Sequence, residues 1–306
     1  MIYRFGHQQP KQQKDADMPC RTVAARKRRF SAITLSVLAL GAVVLSGCLH
    51  GGGSGSGGGS GSGGPGSGAG PAVDVTGNWQ IKFTPTRSPA PISSLAGYLS
   101  QQGTGDNQFT TAALQAQTSG CFTDATTVPM SGETSGSDVN LASFAIDGQT
   151  LSINVQTNAN GNQFSGNYSI AGGCAGGAAG TVSGTEYASL TGTFSGSITA
   201  SSPAVTLSLS LSQDAQGTGL GTFPLSGSAA FSGISCFSQG TLSSENGNVI
   251  GDSVTMGFAT NDSQGAEVQM TGTFDSAAST LTLSSIQIDG GNCSGTLGAA
   301  TLLRQP

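Results

Sequence analysis

Beyond residue 73 the chain alternates apolar and polar positions with a period of two. Val205, Leu207, Leu209 and Leu211 are interleaved with Thr206, Ser208 and Ser210, and Leu151-Ile153-Val155 and Val254-Met256-Phe258 repeat the pattern. Successive side chains of a strand point to opposite faces, so these runs describe strands with one buried and one wet side. Asp147-Gly148, Asn160-Gly161 and Asn246-Gly247 lie between such runs and predict hairpin turns. No stretch here shows a long 3.6-residue period with caps. The pattern predicts an all-β, antiparallel fold of roughly eight short strands in each of two tandem units. Each unit is expected to close as a small barrel, with a β-sandwich as the alternative.

The two units come from a self-comparison. At an offset of 115, Val75-Thr76-Gly77-Asn78-Trp79 aligns with Leu190-Thr191-Gly192-Thr193-Phe194, Cys121-Phe122 with Cys236-Phe237, and Val139 and Leu141 with Val254 and Met256. After a gap of four, Gly172-Gly173-Cys174 falls on Gly291-Asn292-Cys293. Matched cysteines in matched contexts point to an internal duplication, with units at 73–187 and 188–306. Gly77-Asn78-Trp79, on the first predicted strand, resembles the Gly-x-Trp that opens the calycin group of lipocalin and avidin-type barrels. That resemblance implies a ligand-holding barrel, with a basic residue from the last strand packed on the aromatic. Arg304 ends unit two, whose aromatic is Phe194, whereas unit one ends in Glu186-Tyr187 without an arginine.

The front of the chain has another character. Arg21, Arg26, Lys27, Arg28 and Arg29 precede an uncharged run from Ala32 to Leu45, too short for the roughly 20 residues of a membrane-spanning helix, and then come Leu45-Ser46-Gly47-Cys48. This order resembles the lipobox signal of bacterial lipoproteins. The resemblance implies cleavage before Cys48, lipid on its thiol, acylation (palmitate) of the new amino terminus, and a place in the cell envelope, at the outer membrane. Met18 just before the basic cluster is the expected start of translation. Residues 48–72 form a tether, and Gly51 to Gly70 is almost wholly Gly and Ser. Such a segment behaves as a flexible coil, with a root-mean-square span of roughly 25 Å.

Once the signal is removed, Lys82, Arg87 and Arg304 face fourteen acids, a net charge of −11. Nothing remains to neutralise nucleic-acid phosphates or anionic headgroups, so membrane contact is expected through lipid alone. One Trp and four Tyr are too few for the aromatic girdles of a transmembrane barrel. Four cysteines are left for disulfides in an oxidising compartment, and the duplication selects Cys121–Cys174 and Cys236–Cys293 among the three possible pairings.

Candidate chemistry is sparse. The two histidines are His7, in the leader, and His50, beside the anchor, so neither a Ser-His-Asp triad nor a His-ligated metal site is available to the units. Ser-x-x-Lys is absent at Lys82, and no Cys-x-x-Cys or calcium loop is present. Two carboxylates would suffice for a glycan hydrolase, but Asp147, Asp262 and Asp289 sit in turn contexts. In the units, Trp79, Tyr98, Tyr168 and Tyr187 are the whole supply of Trp and Tyr platforms for a sugar, the fourth tyrosine being Tyr3 in the leader. The expectation is a non-enzymatic module without cofactor or metal. Unit one, with Ala112, Ala113, Ala142 and Ala145 near its apolar positions, would leave room beside Trp79 for a small apolar or amphipathic ligand. A surface-structural spacer or a carbohydrate binder is the alternative, and a carboxylate-pair hydrolase ranks behind both.

Overall fold

The computed structural model describes residues 71–87, 91–119, 122, 127–173, 177–199 and 204–306. They form two closed eight-stranded antiparallel barrels in tandem. The first contains β1 (Gly77–Pro85), β2 (Ile92–Gln102), β3 (Asn107–Ser119), β4 (Thr127–Ser135), β5 (Asp138–Ser143), β6 (Gln149–Thr157), β7 (Gln163–Gly172) and β8 (Ala178–Tyr187). The second contains β9 (Gly192–Ile198), β10 (Val205–Gln213), β11 (Phe223–Ser232), β12 (Gln239–Ile250), β13 (Ser253–Thr260), β14 (Glu267–Phe274), β15 (Thr280–Asp289) and β16 (Gly295–Arg304). Each strand pairs with its neighbours in sequence. Closure comes from β1 on β8 and from β9 on β16.

Alternation decides which side chains turn inward. Leu151, Ile153 and Val155 of β6, and Val205, Leu207, Leu209 and Leu211 of β10, are buried, while Asn154 and Gln156, and Thr206 and Ser210, face solvent. Burying a Leu, Ile or Val stabilises by about 1.5–3 kcal/mol per side chain, so a one-residue slip of any strand would forfeit several such terms. Asp147 (φ 51°) and Gly148 (φ 76°) make the two-residue turn between β5 and β6, closed by paired backbone bonds between Ile146 and Gln149. Asn246-Gly247, predicted as a turn, instead lies inside β12. There the register breaks between Leu242 and Gly247, and a Cβ at Gly247 would sit 2.2 Å from the Leu225 carbonyl oxygen. The hairpin at this point is made by Gly251, at φ 55°, and Asp252.

The same hydrogen bonds precede both barrels. Gln101 Oε1 accepts from Val75 N–H while the Gln101 N–H donates to Thr76 Oγ1; Gln213 does the same with Leu190 and Thr191.

One end of the second barrel rests on the wall of the first. Asn78, outward on β1 and only 2% exposed, donates through Nδ2 to the Gly251 carbonyl and accepts the Gly251 N–H at Oδ1, each at 2.7 Å. Gln115 Nε2 donates to the Leu220 carbonyl and Ala188 N–H to that of Ser276. Tyr98 and Tyr187 of the first barrel meet Phe223 and Phe274 edge-on at 5.2 and 5.4 Å and pack against the core of the second.

Candidate functional site

Both interiors are filled by their own side chains. A lumen wide enough for water would expose the residues lining it, yet Trp79, Ile81, Leu95, Leu99, Leu114, Val128 and Leu151 of the first barrel have no exposed surface. Phe194, Leu209, Met256, Phe258, Met270 and Leu283 fill the second in the same way. Eight strands sit at the size where side chains just fill the interior. In the second barrel, Phe237 and the Cys236–Cys293 disulfide lie against one end of the core, and Tyr98 and Tyr187 against the other.

Trp79, the candidate ligand contact, is a core residue. Its ring stacks on Phe164 at 4.8 Å, and Nε1–H donates to the Val75 carbonyl at 2.9 Å. The room expected from small residues is not inside either. Ala112 points inward, whereas Ala142 and Ala145 are exposed and Ala113 lies on the wall side, where its carbonyl oxygen faces Gly221. Alternation turns Ala113 and Ala142 away from the interior.

Of the two expected disulfides, Cys236–Cys293 is formed, with the Cα atoms 6.1 Å apart. Cys121, Cys174 and Cys48, the residue expected to carry lipid, lie outside the described residues. Among the described residues, no Trp or Tyr offers an open platform for a sugar. Trp79 and Tyr168 are buried, and Tyr98 and Tyr187 are engaged between the barrels. The Tyr168 hydroxyl is buried without a hydrogen-bond partner among the described residues, and burial raises its pKa.

Arg304 packs its guanidinium 5.5 Å from the centre of the Phe194 ring and donates to the carbonyls of Ser189 and Thr191. In the first barrel Glu186 stands opposite Trp79, as Arg304 stands opposite Phe194. Burial raises the Glu186 pKa, and the charge of Asp74 adds to the rise. Folding thus brings two acids near each other across a spacing of 112 residues, which the sequence gave no means to foresee.

Two of the grooves lined by described residues run along the outer walls. One, of about 520 Å³, lies over β5–β7 and is lined by Asp138, Asn140, Asn154, Gln156, Ser165 and Asn167. The other, of about 390 Å³, lies over β9–β11 and is lined by Ser195, Ser197, Thr206, Ser208 and Ser232 among others. Sequence reading missed both, because they depend on which outward residues the register sets side by side. No protein-family model and no curated protein matches this chain.

Proposed function

We propose that this chain is a lipid-anchored protein of the bacterial cell envelope, placed at the outer membrane, that works without catalysis as a rigid two-barrel module on a flexible tether. The observation that carries this reading is the filled interior of both barrels, which leaves their outer surfaces as the working part and favours the surface-structural role over a ligand beside Trp79. Support for attachment comes from Leu45-Ser46-Gly47-Cys48 behind a basic and an apolar segment, and from the Gly- and Ser-rich composition of Gly51 to Gly70. Support for a non-catalytic role comes from the sequence of the units, which contains no histidine and one lysine. Several acyl chains, each CH₂ contributing ~0.8 kcal/mol, would hold the protein at the membrane in effect permanently.

Labelled fatty acid should enter the wild type and not Cys48→Ala; equal labelling would remove the anchor. Titration with short-chain lipids, followed by the emission of Trp79, should give no saturable change. A saturable change would return the function to an apolar ligand held inside the first barrel.

A further inference from the structure

Asparagine is depleted in strands, because its side chain competes for backbone hydrogen bonds and packs poorly on a pleated surface. Three asparagines nevertheless occupy outward positions on adjacent strands. Asn140 of β5 is in register with Asn154 of β6, and Asn154 with Asn167 of β7. Beside them a second row places Asp138 opposite Gln156, and Gln156 opposite Ser165. With strands about 4.8 Å apart and a rise of about 3.4 Å per residue, the two rows define a patch roughly 10 Å by 7 Å.

Some other surface amides are bonded within the protein, whereas those of Asn246 and Asn248 on β12 have no such bond among the described residues; the β5–β7 amides differ in standing in register on three adjacent strands. Gln269 Nε2 donates to Glu267 and Gln287 Nε2 to Asp289. Asn158 Nδ2 donates to Asn162, and Asn261 Oδ1 accepts from the N–H groups of Ser238 and Gln239. The side chains of Asn140, Asn154, Asn167 and Gln156 have no such bond to the protein among the described residues. Their β-propensity is sacrificed without a structural return, and local rules are broken in this way at functional sites.

We infer that the β5–β7 groove binds a neutral polyhydroxylated chain, a stretch of uncharged polysaccharide, through the amides of Asn140, Asn154, Asn167 and Gln156. Each amide presents one acceptor oxygen and two N–H donors, which matches hydroxyl groups that both donate and accept. The charge in the patch is that of Asp138, with Glu133 in register beyond Asn140, so an anionic polymer is repelled. No aromatic platform lies in the groove, so single-site affinity is weak. Many copies anchored on one membrane and facing one polymer compensate through effective concentration. The inference goes beyond the anchored-module reading; its avidity rests on that reading, but lipid labelling at Cys48 and binding at this wall are read separately.

The test uses the full chain, labelled with ¹⁵N at asparagine, in a detergent without a sugar headgroup. Maltohexaose, cellohexaose and chitohexaose serve as neutral probes, hexagalacturonate as the anionic one and hexalysine as the cationic one. At least one neutral hexamer should move side-chain amide signals saturably. The triple variant Asn140→Thr, Asn154→Thr, Asn167→Thr should bind it at least tenfold more weakly while its urea midpoint stays level or rises, since threonine suits a strand better. The control Thr206→Ala, Ser208→Ala, Ser232→Ala should bind as the wild type does. The inference is overturned if no neutral hexamer binds, if only hexalysine or hexagalacturonate does, if the threonine variant binds unchanged, or if that variant loses stability as well as binding.

Discussion

Replacing Asn78 by alanine should loosen the two barrels from each other. The native side chain makes two hydrogen bonds of 2.7 Å to one residue, donating to the carbonyl of Gly251 and accepting from its N–H. Alanine removes both and leaves an N–H and a C=O of Gly251 at a buried contact with nothing to meet. An ordinary hydrogen bond adds only about 1 kcal/mol net, but each buried group stranded without a partner costs ~1–3 kcal/mol. The expected loss is therefore about 2–5 kcal/mol, at the lower end if water enters the space. Urea unfolding of the full chain, followed by Trp79 emission, reads it directly, because the single tryptophan lies next to Asn78 on β1. With a slope of about 1–3 kcal/mol per molar urea, the midpoint should fall by roughly 1–2 M. Asn78→Asp sharpens the test. A carboxylate still accepts from the Gly251 N–H but has no proton for the carbonyl, so this variant should be no better than alanine at pH 7 and should recover in acid. A change of under about 0.5 kcal/mol for Asn78→Ala, the size of an ordinary surface substitution, would refute the claim that this clasp couples the barrels.

Tyr168→Phe should be neutral or stabilising by about 1 kcal/mol in thermal unfolding, because it removes a buried hydroxyl that has no partner; a clear loss would mean that the hydroxyl is bonded. Burial, with Asp74 adding to it, raises the Glu186 pKa above its ordinary 4.5. The folded state thus holds this proton more tightly than the unfolded one, and the associated stability is fully present below pH 4.5 and lost as pH rises through the raised value. Glu186→Gln should consequently be more stable than wild type at pH 7, with the gap closing in acid, as a denaturation series from pH 4 to 7 would show. Reducing Cys236–Cys293 releases a loop spanning a sequence separation of 57 residues and should cost about 4 kcal/mol in the chain-entropy model, seen as a lower melting temperature with reductant and in Cys236→Ser, Cys293→Ser.

Period-two alternation carried most of the fold. It placed Leu207, Leu209 and Leu211 inside and Ser208 and Ser210 outside, and in a short strand there is no other consistent solution. The turn at Asp147-Gly148 was legible because both residues tolerate positive φ. Asn246-Gly247 shares that composition but serves a bulge, where glycine is needed for close backbone approach; dipeptide chemistry does not separate the two uses. The alanines of the first barrel misled for another reason. Ala113 and Ala142 neighbour apolar positions in sequence, and only the register shows that they look outward. The clasp at Asn78 and the amide rows over β5–β7 depend on residues brought together across strands or across barrels, which a periodicity along one segment does not encode.

Docking the end of one barrel on the wall of another uses two different surfaces, so nothing in its symmetry limits the number of copies. Contacts of this kind extend indefinitely unless something stops them. A third barrel would need the wall of the second to offer what β1 offers. At the corresponding place β9 carries Thr193, which is exposed and has too short a side chain, with no amide, to serve both backbone groups of a glycine. The clasp made by Asn78 therefore has no counterpart on the second wall. Thr193→Asn would be the first step toward turning a two-barrel protein into a fibre.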